Sequence, residues 1–139
     1  MACAARDIQI CGAGVHHSMR LTALHHNLLF TALAALAALL LLSVVGWVRG
    51  GGAGQAQRAL TGIVSLLLAS EALLGVALLI GGARPLRPEI HAIYGALAAL
   101  TLPAVALALR DAPPRSYHGG TALACVFLIA IALRALQTG

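Results

Sequence analysis

The sequence predicts an all-α protein: a membrane-spanning antiparallel four-helix bundle with up-down-up-down topology. Three observations predict this fold. Of the 139 residues, 60% are hydrophobic and only 9% are charged, whereas a soluble globular domain has about 25% charged residues. Four segments each hold about 20 mostly apolar residues, which is the length needed to cross the hydrocarbon core of a bilayer. The connections between these segments are short, so consecutive helices must run antiparallel.

Each predicted span ends or begins at residues that break or start a helix. Arg49 and the glycines after it close the first span, and Gly81 closes the second. Pro88 opens the third span, because the first turn of a helix tolerates a missing N–H. Pro113 and Pro114 are predicted to close the third span. The predicted spans are, in order, residues 22–48, 58–81, 88–109 and 118–137.

Residues 1–21 are predicted to form a polar N-terminal segment ahead of the four-helix domain of residues 22–139. This segment is too polar for the core of a signal peptide, so we expect the first helix to be retained. Cys3 and Cys11 form a disulfide if this side of the membrane is oxidising, or they are free thiols, and the sequence leaves both alternatives open. Cys125 is predicted to be buried in the fourth helix and unreactive.

The positive charge of the chain is predicted to lie at the helix ends. The net charge is +5, with nine basic residues, all arginine, against four acidic ones. In so apolar a chain, arginine is expected beside lipid headgroups rather than on nucleic acid. The expected partners are therefore the lipid bilayer and either other membrane redox subunits or further copies of the chain, with no nucleic acid. We expect a multi-pass protein of a prokaryotic cytoplasmic membrane, in an orientation that the arginines do not decide.

Histidines near the starts of the first and third spans are the strongest functional signal. His25 and His26 lie in the first span and His91 lies in the third, at the same predicted depth. A histidine inside a span is a candidate functional residue because its ring is costly in hydrocarbon. Two imidazoles do not complete a tetrahedral zinc site, but they suffice as the axial ligands of a haem. The predicted metal ligands are His26 and His91, with His25 as the alternative to His26, unless these histidines only anchor helix ends.

The residues around this histidine pair are of the kinds that a haem site requires: small residues beside the macrocycle and cationic residues near the propionates. Gly95 lies on the same helical stripe as His91 and leaves room beside a flat macrocycle. Arg134, Arg84 and Arg87 are predicted at the water boundary of the same side, where arginine pairs with carboxylates such as haem propionates. The alternative for each arginine is that it only anchors a helix end by snorkelling.

Glu71 is the one acidic residue placed well inside a predicted span. A carboxylate in the membrane is costly unless it is protonated, paired or facing a cavity. It either relays protons or faces the edge of the cofactor, or it is a neutral acid hydrogen-bonded to Ser65, Ser70 or Thr101. The sequence does not choose between these roles.

The order of these features, from His25 to about Leu107, resembles one half of the heme A synthase family. The features are Leu24-His25-His26-Asn27-Leu28-Leu29, Glu71-Ala72-Leu73-Leu74-Gly75, a Gly- and Pro-rich turn, and Ile90-His91-Ala92. The resemblance implies a four-helix half with a haem held between two histidines. In that family an arginine follows the first histidine, and in the catalytic half a glutamate lies three residues before it. Here these positions hold Asn27 and either Ala23 or Thr22.

These features predict a haem-binding membrane protein of the bis-histidine, b-type cytochrome-like kind, active in electron transfer or as an accessory subunit of a redox complex. Two axial imidazoles leave the iron no open position, which favours electron transfer over substrate chemistry. One alternative is a heme A synthase-like oxidoreductase, which would need Glu71 or Glu89 as its catalytic acid. Another is a cofactor-free structural subunit of a larger membrane complex.

Overall fold

The computed structural model describes residues 5–51, 54–82 and 85–137, with side chains from Arg20 onward. Within these residues the chain forms four α-helices and no β-strand. The predicted all-α fold is therefore confirmed. The helices are α1 (Ala5–Arg49), α2 (Gln55–Ile80), α3 (Pro88–Ala108) and α4 (Pro114–Leu136). Cys3 and Arg84, and the side chain of Cys11, lie outside the described part, so the expectations for them stay predictions.

Two helix boundaries differ from the predicted ones by a turn or more. α1 begins at Ala5, so the segment predicted as a polar extension continues the first helix. α4 begins at Pro114, with Pro113 as its N-cap. The proline pair therefore opens α4 instead of closing α3, since a proline has its φ angle preset for the first helical turn and needs no N–H partner there.

A glycine and a buried hydrogen bond hold the connection between α1 and α2. Gly50, directly after α1, has a φ of +64°, a left-handed conformation that glycine adopts without the steric cost of a Cβ. One turn further inside, Nε2 of Gln57 donates a 3.1 Å hydrogen bond to Oγ of Ser43. Both side chains are buried. Because an unpaired amide is costly away from water, this bond fixes the register of the two helices.

The helices form a ring in which each contacts its two neighbours. α1 and α3 both pack on α2 and α4, and within the described residues the diagonal pairs make no backbone contact. Consecutive helices are antiparallel, as predicted. We call the end where α1 and α3 begin and α2 and α4 finish the terminal end, and the other the opposite end. α1 and α3 therefore face each other across the bundle and run in the same direction.

The core lies at mid-height, where side chains from all four helices meet. Leu36 of α1, Val64 of α2, Leu102 of α3 and Leu128 of α4 are fully buried or nearly so. Cys125 joins them and is completely buried, as predicted. This apolar layer separates two ends of the bundle that carry the polar side chains.

Large apolar side chains also cover the outside of the bundle. Leu66, Leu100 and Leu123 each expose about two thirds or more of their surface. Burying such a side chain gains about 1.5–3 kcal/mol, so an outer surface of this kind favours a lipid environment. All four helices are long and apolar enough to cross a membrane. The chain therefore fits an integral, multi-pass membrane protein.

His118 is a packing residue of the opposite end. Its ring is 3% exposed and lies against Gly46 of α1, in space that a Cβ at position 46 would occupy. Nε2 of His118 lies 3.1 Å from the carbonyl oxygen of Gly51, so this nitrogen donates to the chain just after α1. The contact locks α4 against the C-terminal end of α1.

We expect Gly46→Ala to destabilise the bundle by about 1–3 kcal/mol, because the new methyl group collides with the His118 ring in a packed interface. Unfolding of the purified chain in detergent micelles measures this loss. Gly62→Ala in α2 is the matched control, since a Cβ there meets nothing within 4 Å. Equal stability of the two variants would contradict the role assigned to Gly46.

Candidate functional site

Two histidines and a glutamate meet inside the bundle near its terminal end. His25 comes from α1, Glu71 from α2 and His91 from α3. The ring arrangement explains the meeting, since α1 and α3 are diagonal and α2 packs against both. The three side chains thus point into one space from three different helices. We call them the His–Glu cluster.

His25 and Glu71 form the closest polar contact of the cluster. Nδ1 of His25 lies 3.0 Å from Oε1 of Glu71, and the two side chains are 17% and 11% exposed. The atoms are within ion-pair distance but are not aligned as a hydrogen bond, because Nδ1 and both carboxylate oxygens are buried without a hydrogen-bond partner among the described residues. These buried nitrogen and oxygen atoms therefore lack hydrogen bonds in an apolar environment, where an unsatisfied polar group costs free energy.

His91 faces His25 across the bundle. The ring centroids are 6.2 Å apart, and the rings meet edge to face with an angle of 63° between their planes. The backbone of Ala135, in the last turns of α4, interacts with the His91 ring. Nδ1 of His91 is buried without a hydrogen-bond partner within the described part of the chain. Nδ1 of each imidazole is therefore a buried nitrogen that no hydrogen bond satisfies within the described residues.

Small residues allow the helices to approach at this level. A Cβ on Gly75 of α2 would lie 3.6 Å from Cε1 of His25, so the imidazole packs over that glycine, one turn along from Glu71. A Cβ on Gly95 of α3 would lie 4.0 Å from the Ala72 side chain of α2. Gly95, which the sequence places beside a macrocycle, therefore packs toward α2 and is partly exposed.

The structure separates His25 from its neighbour His26. His26 is exposed, and its ring centroid lies 6.4 Å from that of His25. Successive residues of a helix point about 100° apart, so the two cannot both face the bundle interior. The structure brings together His25 and His91, whereas the sequence favours His26 and His91. The use of His26 as a metal ligand stays a prediction.

Two of the predicted arginines line one open cavity at the terminal end of the bundle. Arg87, at the N-cap of α3, and Arg134, near the end of α4, line one cavity of about 360 Å³ together with Leu86 and Gln137. Both arginines are exposed, and Nη1 of Arg134 donates a 2.8 Å hydrogen bond to Oε1 of Gln137. The cavity lies at the seam between α3 and α4, on the side where Ala135 contacts His91.

Sequence reasoning missed the partner of Glu71. The three hydroxyl groups considered for it bond instead to the backbone of their own helices: Ser65 to Thr61, Ser70 to Leu67 and Thr101 to Leu97. Neither carboxylate oxygen of Glu71 has a hydrogen-bond partner among the described residues, so that alternative is wrong, and the carboxylate lies against His25. The missing signal was the helix register, which only the packing of α1 on α2 supplies.

The cluster offers two imidazoles and one carboxylate, but not a complete ligand set for a bare metal ion. Among the described residues, no group of three or more His, Cys, Asp or Glu side chains is placed to hold one. A metal cofactor that carries most of the ligands of its metal would need only the two histidines from the protein. The donors of the cluster are therefore two imidazoles, with one carboxylate beside His25.

Comparison with family models, with curated proteins and with solved structures finds no match for this chain. The resemblance to the heme A synthase family stays a prediction from the sequence.

We expect His25 and Glu71 to be energetically coupled. The single substitutions His25→Ala and Glu71→Ala should each lower the free energy of unfolding by about 1–3 kcal/mol, since each leaves a buried polar group alone. The double variant should lose less than the sum, with a coupling of roughly 0.5–3 kcal/mol. Unfolding in micelles measures the four free energies.

Glu89→Ala provides the control for this cycle, because Glu89 is an exposed carboxylate in the first turn of α3. It should cost no more than about 0.5 kcal/mol and show no coupling to His25→Ala. A coupling of zero between His25 and Glu71 would refute their interaction.

Proposed function

We propose that this chain is an integral membrane protein that binds a b-type haem between His25 and His91 and takes part in electron transfer in the membrane. The observation that carries the proposal is the pair of imidazoles, 6.2 Å apart between centroids, that face each other from diagonal helices inside an apolar bundle. Buried histidines in a membrane are costly, so a facing pair favours a ligand between them.

The spacing of the two rings fits a shared metal. An imidazole nitrogen binds a metal at about 2.0–2.1 Å, so two rings on opposite sides of one ion have centres on the order of 6 Å apart. The pair would supply two ligands, and no third His, Cys, Asp or Glu ligand joins them among the described residues. A porphyrin fits this donor set because it carries four nitrogen ligands of its own.

Glu71 supports a ligand role for His25. Histidines that bind metals almost always turn their other ring nitrogen to a carboxylate, a carbonyl or a water, which sets the tautomer and the ring orientation. Nδ1 of His25 faces Glu71 at 3.0 Å, and this leaves Nε2 as the binding nitrogen. Glu71 is in this proposal a positioning residue for His25.

Arg87 and Arg134 supply positive charge at the water boundary of the same end. Their shared cavity of about 360 Å³ suits carboxylates, which arginine binds in a bidentate manner. Arg87 lies at the start of α3 and Arg134 near the end of α4, and these two arginines would hold the propionates of a bound macrocycle.

Two axial imidazoles would leave the iron without an open position, which suits transfer of single electrons. The haem-modifying activity implied by the family resemblance would need a free acid near the cofactor. Glu71 lies against His25, and Glu89 is exposed. We therefore favour electron transfer over an enzymatic reaction.

The chain expressed in a haem-producing host and purified in detergent should show a Soret band, with one haem per chain. His25→Ala and His91→Ala should each abolish it, because each removes an axial ligand. His26→Ala is the matched control and should retain it, since His26 is the exposed neighbour of His25. Absorption spectra of the oxidised and reduced protein measure the result.

A wild-type chain without a Soret band, both as purified and after addition of hemin, would refute haem binding. Loss of the band in His26→Ala together with its retention in His25→Ala would instead show that His26 is the ligand from α1.

Glu71→Gln should raise the midpoint potential of the bound haem while leaving haem content intact. The oxidised site carries one more positive charge than the reduced site, so a carboxylate beside His25 stabilises the oxidised form, and an amide of the same shape removes that effect. A spectroscopic redox titration measures the potential. Glu89→Gln should leave it unchanged, and an unchanged or lower potential in Glu71→Gln would contradict the positioning role.

A further inference from the structure

The opposite end of the bundle holds a second cavity, far from the His–Glu cluster. It has a volume of about 380 Å³ and is lined by residues of α2, by residues in and just after the last turns of α3, and by one residue of α4. Its mouth carries two arginines, Arg58 and Arg110, and its wall includes Gly62, Ser65, Ala106 and Tyr117. Arg58, Gly62 and Arg110 are exposed, so the cavity is open to its surroundings.

The charge around this cavity is unbalanced. Within the described residues, Arg58 has no carboxylate at ion-pair distance, and its guanidinium lies 5.5 Å from the centre of the Tyr117 ring. Arg110 contacts Asp111 through Nε at 2.9 Å, in a pair whose side chains are 68% and 84% exposed. An exposed pair of this kind contributes little. The cavity is therefore lined by two guanidinium groups, and the one carboxylate paired with either of them, that of Asp111, is exposed to solvent.

The wall below the arginines is small and largely apolar. Ser65 and Thr61 donate their hydroxyl hydrogens to the backbone of α2, and Gly62 and Ala106 add no polar side chain. Ser65 lies seven residues, or about 10 Å, along α2 from Arg58. Arg58 lies in the first turns of a membrane-spanning helix, so the cavity extends from the headgroup level toward the hydrocarbon.

We propose that this cavity binds an anionic phospholipid, with its phosphate between Arg58 and Arg110 and the upper part of an acyl chain along Gly62 and Ala106. Arginine binds phosphate oxygens in a bidentate manner, and basic pockets between membrane helices hold anionic headgroups. The apolar wall distinguishes this occupant from a soluble anion, which has no group to place there. Charge and shape together select a lipid with a negative headgroup.

The test uses the full chain in detergent, titrated with phosphatidylglycerol or with phosphatidylcholine of the same acyl chains, and counts bound lipid by native mass spectrometry. Wild type should prefer phosphatidylglycerol. Arg58→Gln and Arg110→Gln should each weaken its binding roughly fivefold, as expected for one basic residue near an anionic headgroup. Arg49→Gln and Arg115→Gln are the controls, because both arginines lie at the same end but do not line the cavity.

Gly62→Leu tests the shape of the site without changing its charge. A Cβ at position 62 meets nothing within 4 Å, so the leucine fills the cavity without a clash at its Cβ and should abolish the preference although both arginines remain. Circular dichroism and gel filtration identify variants that are folded. Equal weakening by the Arg49 and Arg115 variants, displacement of the lipid by glycerol 3-phosphate, or unchanged binding in folded Gly62→Leu would each overturn the proposal.

Discussion

The constraint on which the structure depends is that a chain in hydrocarbon must satisfy its polar groups internally. Backbone groups are satisfied within the helices, and most hydroxyl side chains bond to the backbone of their own helix one turn away. The few polar side chains that do neither are therefore conspicuous. Gln57 bonds to Ser43 between helices, and His118 to the carbonyl of Gly51. The His–Glu cluster alone combines several buried polar atoms that have no hydrogen-bond partner in the described residues.

That contrast separates structural polar residues from candidate functional ones. His118 also has a buried Nδ1 without a hydrogen-bond partner among the described residues, but its ring fills the space at Gly46 and its Nε2 donates to the backbone, so packing explains its presence. His25, Glu71 and His91 lie close together without completing one another's hydrogen bonds. A buried group left in this state costs free energy, so packing alone does not explain this cluster.

Because the four helices form a ring, different polar side chains come together at the two ends of the bundle. At the terminal end, diagonal helices bring imidazoles together over Gly75, with arginines at the adjacent seam. At the opposite end, adjacent helices leave a cavity beneath Arg58 and Arg110. The apolar layer around Leu36 and Leu102 separates the two. The two ends of one bundle thus present different polar groups, imidazoles and a carboxylate at one and guanidinium groups at the other.

The fold class and the depth of each polar residue follow from the sequence alone. Apolar length and short connections require four antiparallel helices, and numbering along each helix gives depth, because every residue advances the same 1.5 Å. Hence His25, His26 and His91 could be placed at one level, and Arg87 and Arg134 at one end. The proline pair at 113 and 114 is predicted to close α3 but opens α4, since proline is common both after the end of a helix and in its first turn.

Which side chains face inward, and what they contact, depends instead on how the helices pack. Helix rotation depends on how neighbouring helices pack, and in spans that are apolar on every side no stripe in the sequence marks the inner face. That rotation turns His25 rather than His26 toward His91, sets Glu71 against His25 and lays Gly95 on Ala72. The depth of a residue depends on its position along a single helix, so it can be counted from the sequence. The direction in which its side chain points depends on how two helices pack, so it is known only from the tertiary structure.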